Sequence, residues 1–119
     1  MKNLNLSEEV NLEGFKKICH SNELSNKIGK RFIVDDVDVA IFKIDNDIFA
    51  VSNICPHQHS PLIYDSFVED ECVVCPAHGW MFNIRTGKTP MGYGGLEIFK
   101  VKIIDEYVYA KVTKKNYNW

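Results

Sequence analysis

The sequence predicts an all-β fold, and three observations predict it. Short apolar runs follow one another, separated by turn-forming residues, at a spacing typical of a strand-rich chain. The longest of these runs, Val37–Ile44, is apolar on both faces. Val37, Val39, Ile41 and the stem of Lys43 share one side, and Ala40, Phe42 and Ile44 share the other. Such a strand belongs inside a small barrel or sandwich rather than in a sheet with one wet face. Finally, no internal repeat, linker or low-complexity tract interrupts the pattern.

The elements follow in order. Residues 1–11 read as a polar leader, and residues 12–119 as one domain. Phe15–His20 is strand-like. Ser21–Lys27 is expected to hold one helical turn, with Ser21 as its N-cap. Arg31–Val34 and Val37–Ile44 are strands, and Asp45-Asn46-Asp47 is a hairpin turn before the strand Ile48–Ile54. Cys72–Cys75 and Trp80–Ile84 are short strands, the second ending at a turn over Arg85–Lys88. Met91–Gly95 is a Gly-rich loop. Ile98–Ile104 and Tyr107–Val112 form a last hairpin across Asp105-Glu106.

Bulk properties narrow the function. A chain of 119 residues suits one domain with a real core. A net charge of −2 gives no electrostatic case for nucleic acid. No apolar run reaches the length needed to span a bilayer, and MKNLNLSEEV lacks the apolar centre of a signal peptide. A cytoplasmic location is the default expectation, and the sequon Asn5-Leu6-Ser7 is then silent. Four cysteines are too few for a disulfide scaffold. Cys19 and Cys72 lie in apolar, strand-like contexts and read as small buried hydrophobes.

The other two cysteines carry the chemistry. Cys55-Pro56-His57 and Cys75-Pro76-Ala77-His78 form C-x-H and C-x-x-H, separated by seventeen residues. Each piece offers one thiolate and one imidazole. Two Cys and two His satisfy zinc. They also satisfy a Rieske [2Fe–2S] centre, in which two Cys bind one iron and two His bind the other. Each loop would then give one ligand to each iron.

The flanks favour the second centre. CPHQHSPL at Cys55–Leu62 and CPAHGWMFNIRTGK at Cys75–Lys88 resemble the two cluster-binding loops of the Rieske ferredoxin family, through both Cys-Pro pairs, Pro61-Leu62, Gly79-Trp80, Phe82 and Thr86-Gly87. The resemblance implies an antiparallel β-sandwich or barrel base carrying two cluster-binding loops, with Cys55, His57, Cys75 and His78 as ligands. It also implies a loop near the cluster at Pro90–Gly95. Respiratory members of the family carry an extra Cys in each loop and a Ser after His-Gly. Here those places hold Ser60, Ala77 and Trp80, so the resemblance is to the soluble, low-potential branch. It implies a one-electron carrier that takes electrons from a flavin-containing reductase and passes them to a terminal oxygenase. The small subunit of a nitrite reductase, serving that enzyme as acceptor, is the alternative within the family. A structural zinc domain is the alternative outside it.

Other residues weigh less. Trp80 and Phe82 fit cluster shielding and core packing equally, and Leu62 is expected under the first loop. His59 is expected to be a bystander rather than a further ligand, and His20 a plain strand-end residue. Gly92–Gly95 lacks the lysine and the strand–loop–helix setting of a phosphate cradle. Asp65, Glu69, Asp70 and Glu71 form an acidic group between the loops, readable as a solvated turn or as a docking patch for a basic partner.

Overall fold

A computed structural model of the chain describes residues 14–56, 59–76, 79–92 and 95–113. Among the described residues there are nine strands: β1 (Lys16–His20), β2 (Gly29–Val34), β3 (Val37–Ile44), β4 (Asp47–Ser52), β5 (Phe67–Glu69), β6 (Cys72–Val74), β7 (Met81–Asn83), β8 (Ile98–Ile104) and β9 (Tyr107–Lys111). Six of them make an antiparallel sheet in the order β1-β9-β8-β4-β3-β2, whose end strands approach each other, so the sheet nearly closes into a barrel. The other three form an antiparallel sheet in the order β5-β6-β7.

The two-faced pattern of β3 decides this architecture. Val39 and Ile41 enter one apolar cluster with Cys19, Leu24, Ala50, Phe99, Val108 and Ala110, inside the curled six-stranded sheet. Ala40, Phe42 and Ile44 enter a second with Val51, Ile63, Val73, Phe82, Ile84 and Leu96, between that sheet and the smaller one. Burying a large aliphatic or aromatic side chain is worth about 1.5–3 kcal/mol, so β3 anchors both layers at once. The second cluster also contains Cys55 and Cys75, with Leu62 packed against it as expected.

Two expectations need correction. The helical turn after β1 is a 3₁₀ turn over Ser21–Glu23 alone, and its N-cap is His20 rather than Ser21. His20 Nδ1 accepts from the Asn22 amide at 3.1 Å, and the Glu23 carboxylate accepts from the His20 amide at 3.0 Å. The turn cannot run on to Lys27, whose φ of +64° is left-handed and whose amide donates to the Lys43 carbonyl. Cys19 is buried as expected, whereas Cys72, at the exposed start of β6, is half-buried. The leader, with its sequon, lies outside the described residues.

Candidate metal centre

Each ligand loop leaves the end of a strand or hairpin and closes on itself. In the first, the Cys55 amide donates to the Ser60 carbonyl at 2.9 Å, and the His59 amide donates to the Cys55 carbonyl at 2.6 Å. In the second, the Cys75 amide donates to the Trp80 carbonyl at 2.7 Å, and the Gly79 amide donates to the Cys75 carbonyl at 2.9 Å. The two loops therefore share one closure: cysteine to the fifth residue on, and the fourth residue back to cysteine. The fourth residue is left-handed in both, at φ +56° for His59 and +71° for Gly79. Each loop has proline second, where the ring presets the backbone.

Both cysteines are almost fully enclosed, at 0 and 1% exposure, and neither forms a disulfide with a described cysteine. Two buried thiols at equivalent places in two matched loops fit a cluster iron held by thiolates, and soft sulfur donors suit iron–sulfur chemistry. When bound, the cluster takes up and releases one electron. Each Cys is fixed on both its amide and its carbonyl, on a floor of packed strands, an arrangement that would hold a cluster's ligands still. Ala77, Tyr93, Gly94 and the sequence-predicted ligands His57 and His78 lie outside the described residues.

A residue the sequence did not single out fixes the first loop. Asn53 is fully buried, two positions before Cys55. Its Nδ2 donates to Asp38 Oδ1 at 2.9 Å and to the Pro61 carbonyl at 3.3 Å, and its Oδ1 accepts from the Tyr64 amide at 2.6 Å. Its backbone donates to the Asp38 carbonyl and accepts from the Ile63 amide. Asp38 in turn takes a two-pronged ion pair from Arg31, at 2.9 and 2.7 Å, which draws the Arg31 pKa further up. One amide side chain thus ties β3, the first loop and the 3₁₀ turn Ile63–Asp65 together. Polar bonds of this kind leave no trace in hydrophobic periodicity.

The second loop is held from beneath. Phe82 is fully buried in the core that receives both cysteines, so packing accounts for it, while Trp80 is 39% exposed, its ring 6.3 Å from that of Phe82. After β7, Asn83 Oδ1 accepts from the amides of Arg85 and Thr86. Gly87 follows at φ +78°, and a Cβ there would run into the Leu96 carbonyl. Glycine at this point lets the chain after the Met91 region lie against the turn. His59 is exposed and takes the left-handed corner, so its conformation serves the turn. The cysteines outside the loops are unlike thiolate ligands. Burial foremost, and then Glu23, pushes the Cys19 thiol up to about 11, with Lys30 opposing. Burial, with Asp70, Glu71 and Glu69, pushes Cys72 up as well.

Comparison with known proteins decides what this geometry is. The model of the Rieske [2Fe-2S] domain matches residues 14–91. The chain belongs to the Rieske [2Fe–2S] domain family. Its cofactor is accordingly a [2Fe–2S] cluster. The chain is 34% identical over 76 residues to the anthranilate 1,2-dioxygenase ferredoxin subunit of Burkholderia cepacia, a match over 62% of this chain and 69% of that protein. It is 31% identical over 101 residues to the 3-phenylpropionate/cinnamic acid dioxygenase ferredoxin subunit of Photorhabdus laumondii, covering 82% of this chain and 94% of that one. Its fold matches that of the nitrite reductase [NAD(P)H] small subunit from Erwinia carotovora with a TM-score of 0.73, at 17% identity, over 89% of this chain and 87% of the other.

Proposed function

We propose that Cys55 and Cys75 bind one iron of the cluster and His57 and His78 the other, and that the chain carries single electrons from a flavin-containing reductase to a terminal oxygenase. The observation that carries this reading is the pair of loops with one closure, each presenting a buried cysteine at its first residue. The two dioxygenase ferredoxin subunits supply the choice of acceptor. The nitrite reductase small subunit shares the fold at an identity that speaks for the fold alone.

The cytoplasm is the proposed place of work. No disulfide joins the described cysteines, as in a reducing compartment. No described helix is long and apolar enough to cross a membrane.

The test begins with composition. The purified protein should contain about two irons and two acid-labile sulfides per chain and be red-brown. Stoichiometric zinc without sulfide would overturn the assignment. With Trp80 where respiratory members have serine, and no disulfide among the described cysteines, the midpoint should lie near the low end of the Rieske range, about −150 mV. NADH with a ring-hydroxylating system's flavin reductase should then reduce the protein, and that system's oxygenase should reoxidise it.

A further inference from the structure

Two clefts on one flank of the molecule adjoin at Lys27. The first, of about 280 Å³, is lined by Lys27, Ile44, Asp45, Asp47, Phe49, Asp70, Glu71 and Arg85. The second, of about 270 Å³, is lined by Lys27, Ile28, Gly29, Tyr64, Asp65, Ser66 and Phe67. Lys27 belongs to both, so they form one furrow with an acidic half and an apolar half.

The acidic half has a net negative lining. Arg85 bonds Glu71 and Asp47, each at 3.0 Å, and lies over the Phe49 ring. Asp45, Asp65 and Asp70 then stand against Lys27 alone among the lining charges. The apolar half is exposed in an unusual degree for large side chains. Ile28 is 60% and Phe67 63% exposed, with Tyr64 beside them. Ser66, on the same wall, is buried, and its hydroxyl has no hydrogen-bond partner among the described residues. Exposed apolar groups rimmed by polar and charged residues mark a protein-binding surface, and here the rim carries a net negative charge.

The apolar half of the furrow lies close in bonding to both loop cysteines. Phe67 pairs with Val74, the residue before Cys75. The Tyr64 amide is bonded to Asn53, two residues before Cys55. Few covalent and hydrogen bonds therefore separate the furrow floor from either cysteine.

We propose that this furrow is a lateral docking surface for a basic one-electron protein. The partner seats an apolar side chain among Ile28, Tyr64 and Phe67 and sets Lys or Arg side chains against Asp45, Asp65 and Asp70. The inference rests on the electron-carrier reading above and adds to it the place and chemistry of a partner. In the step it serves, one electron leaves the reduced protein and reduces the partner's oxidised centre, with no bond made or broken.

The test uses the full-length holoprotein, reduced with dithionite, and oxidised cytochrome c as a basic one-electron probe, followed by stopped flow. At low salt (about 20 mM), Asp65→Asn with Asp70→Asn should slow reduction of the probe about 5- to 10-fold, and Lys27→Gln should speed it about twofold. Both effects should vanish near 0.5 M salt, where exposed charges more than a few ångströms apart are screened. Phe67→Ser with Ile28→Ser should slow the reaction at both salt concentrations. Ile103→Ser, an exposed residue of β8 outside the furrow, should change nothing.

Rates within twofold of the parent for all the furrow variants would overturn the docking surface. So would a change of oligomeric state on sedimentation with unchanged rates, because the furrow would then join copies of this chain. Oxidation by ferricyanide keeps the two readings apart. A reduced protein that cannot pass an electron even to that small anion is no carrier. One that reacts with it normally, whatever its furrow, remains one.

Discussion

The two ligand loops close with the same pair of hydrogen bonds yet differ at the corner that makes closure possible. Gly79 occupies the left-handed position in one loop and His59 in the other. Glycine takes that conformation without cost, whereas a side chain costs about 1–2 kcal/mol. The loops also differ in support. The first is bound to its surroundings by buried Asn53, the second by the close packing of Phe82 and the turn at Gly87. The comparison teaches that the closure, and with it the placement of the cysteine, is what the two loops have in common. The residues that achieve it are not.

The largest effect should come from the residues the loops share. Cys55→Ser and Cys75→Ser should each give a protein that retains less than about a tenth of its iron, because the proposed assignment sets both thiolates on one iron. Cys19→Ala and Cys72→Ala should keep both irons. Iron and sulfide analysis of the four purified variants checks this, and unequal loss between the two loops would break their equivalence.

Cys19 offers the next largest effect, and it shows what a buried cysteine does without a metal. Its thiol is pushed up to about 11 by burial. A pKa raised in the folded state means that the neutral thiol's contribution is complete below the unfolded value, near 8.5–9. That contribution is lost as pH rises through the folded one. Stability should therefore decline between about pH 9 and pH 11, by an amount on the order of 2 kcal/mol. Cys19→Ala should flatten that decline while lowering stability at neutral pH by leaving a small void. Urea titrations of both proteins at pH 7.5 and 10.5 compare the two slopes.

Much of this was legible in the sequence. The alternation in Val37–Ile44 announced a strand buried on both faces, and β3 does divide its side chains between two cores. The two Cys-Pro loops and their flanks announced the family. What stayed hidden has physical causes. β5 is three residues long and exposed at both ends, too short to show a period, so no strand is legible there and Glu69 reads only as one of the acidic group. The 3₁₀ turn Ile63–Asp65 has a single buried side chain. Asn53 and His20 act through hydrogen bonds to partners that only the fold brings near, and a lone Asn or His carries no sign of that. The acidic group divided in the folded chain: Glu71 is taken up by Arg85, while Asp65 and Asp70 line the furrow.

The smallest effect falls on the corner residues, and it tests the comparison most directly. A Cβ at Gly79 would meet nothing within 4 Å, so Gly79→Ala tests backbone strain free of any clash. It should cost about 1–2 kcal/mol, since φ is +71° and alanine resists that region. His59 already carries the strain, at φ +56°, and its side chain is exposed. His59→Gly removes the strain but frees the unfolded chain, and the two terms oppose, leaving a gain between zero and about 1 kcal/mol. Thermal unfolding of the holoproteins should thus move in opposite directions for the two substitutions, Gly79→Ala downward and His59→Gly unchanged or upward. Iron content separates the corner role from a ligand role. A His59→Gly protein that keeps both irons and its midpoint potential has lost only a turn residue. One that loses iron has lost a ligand, and the two loops would then differ in chemistry as well as at the corner.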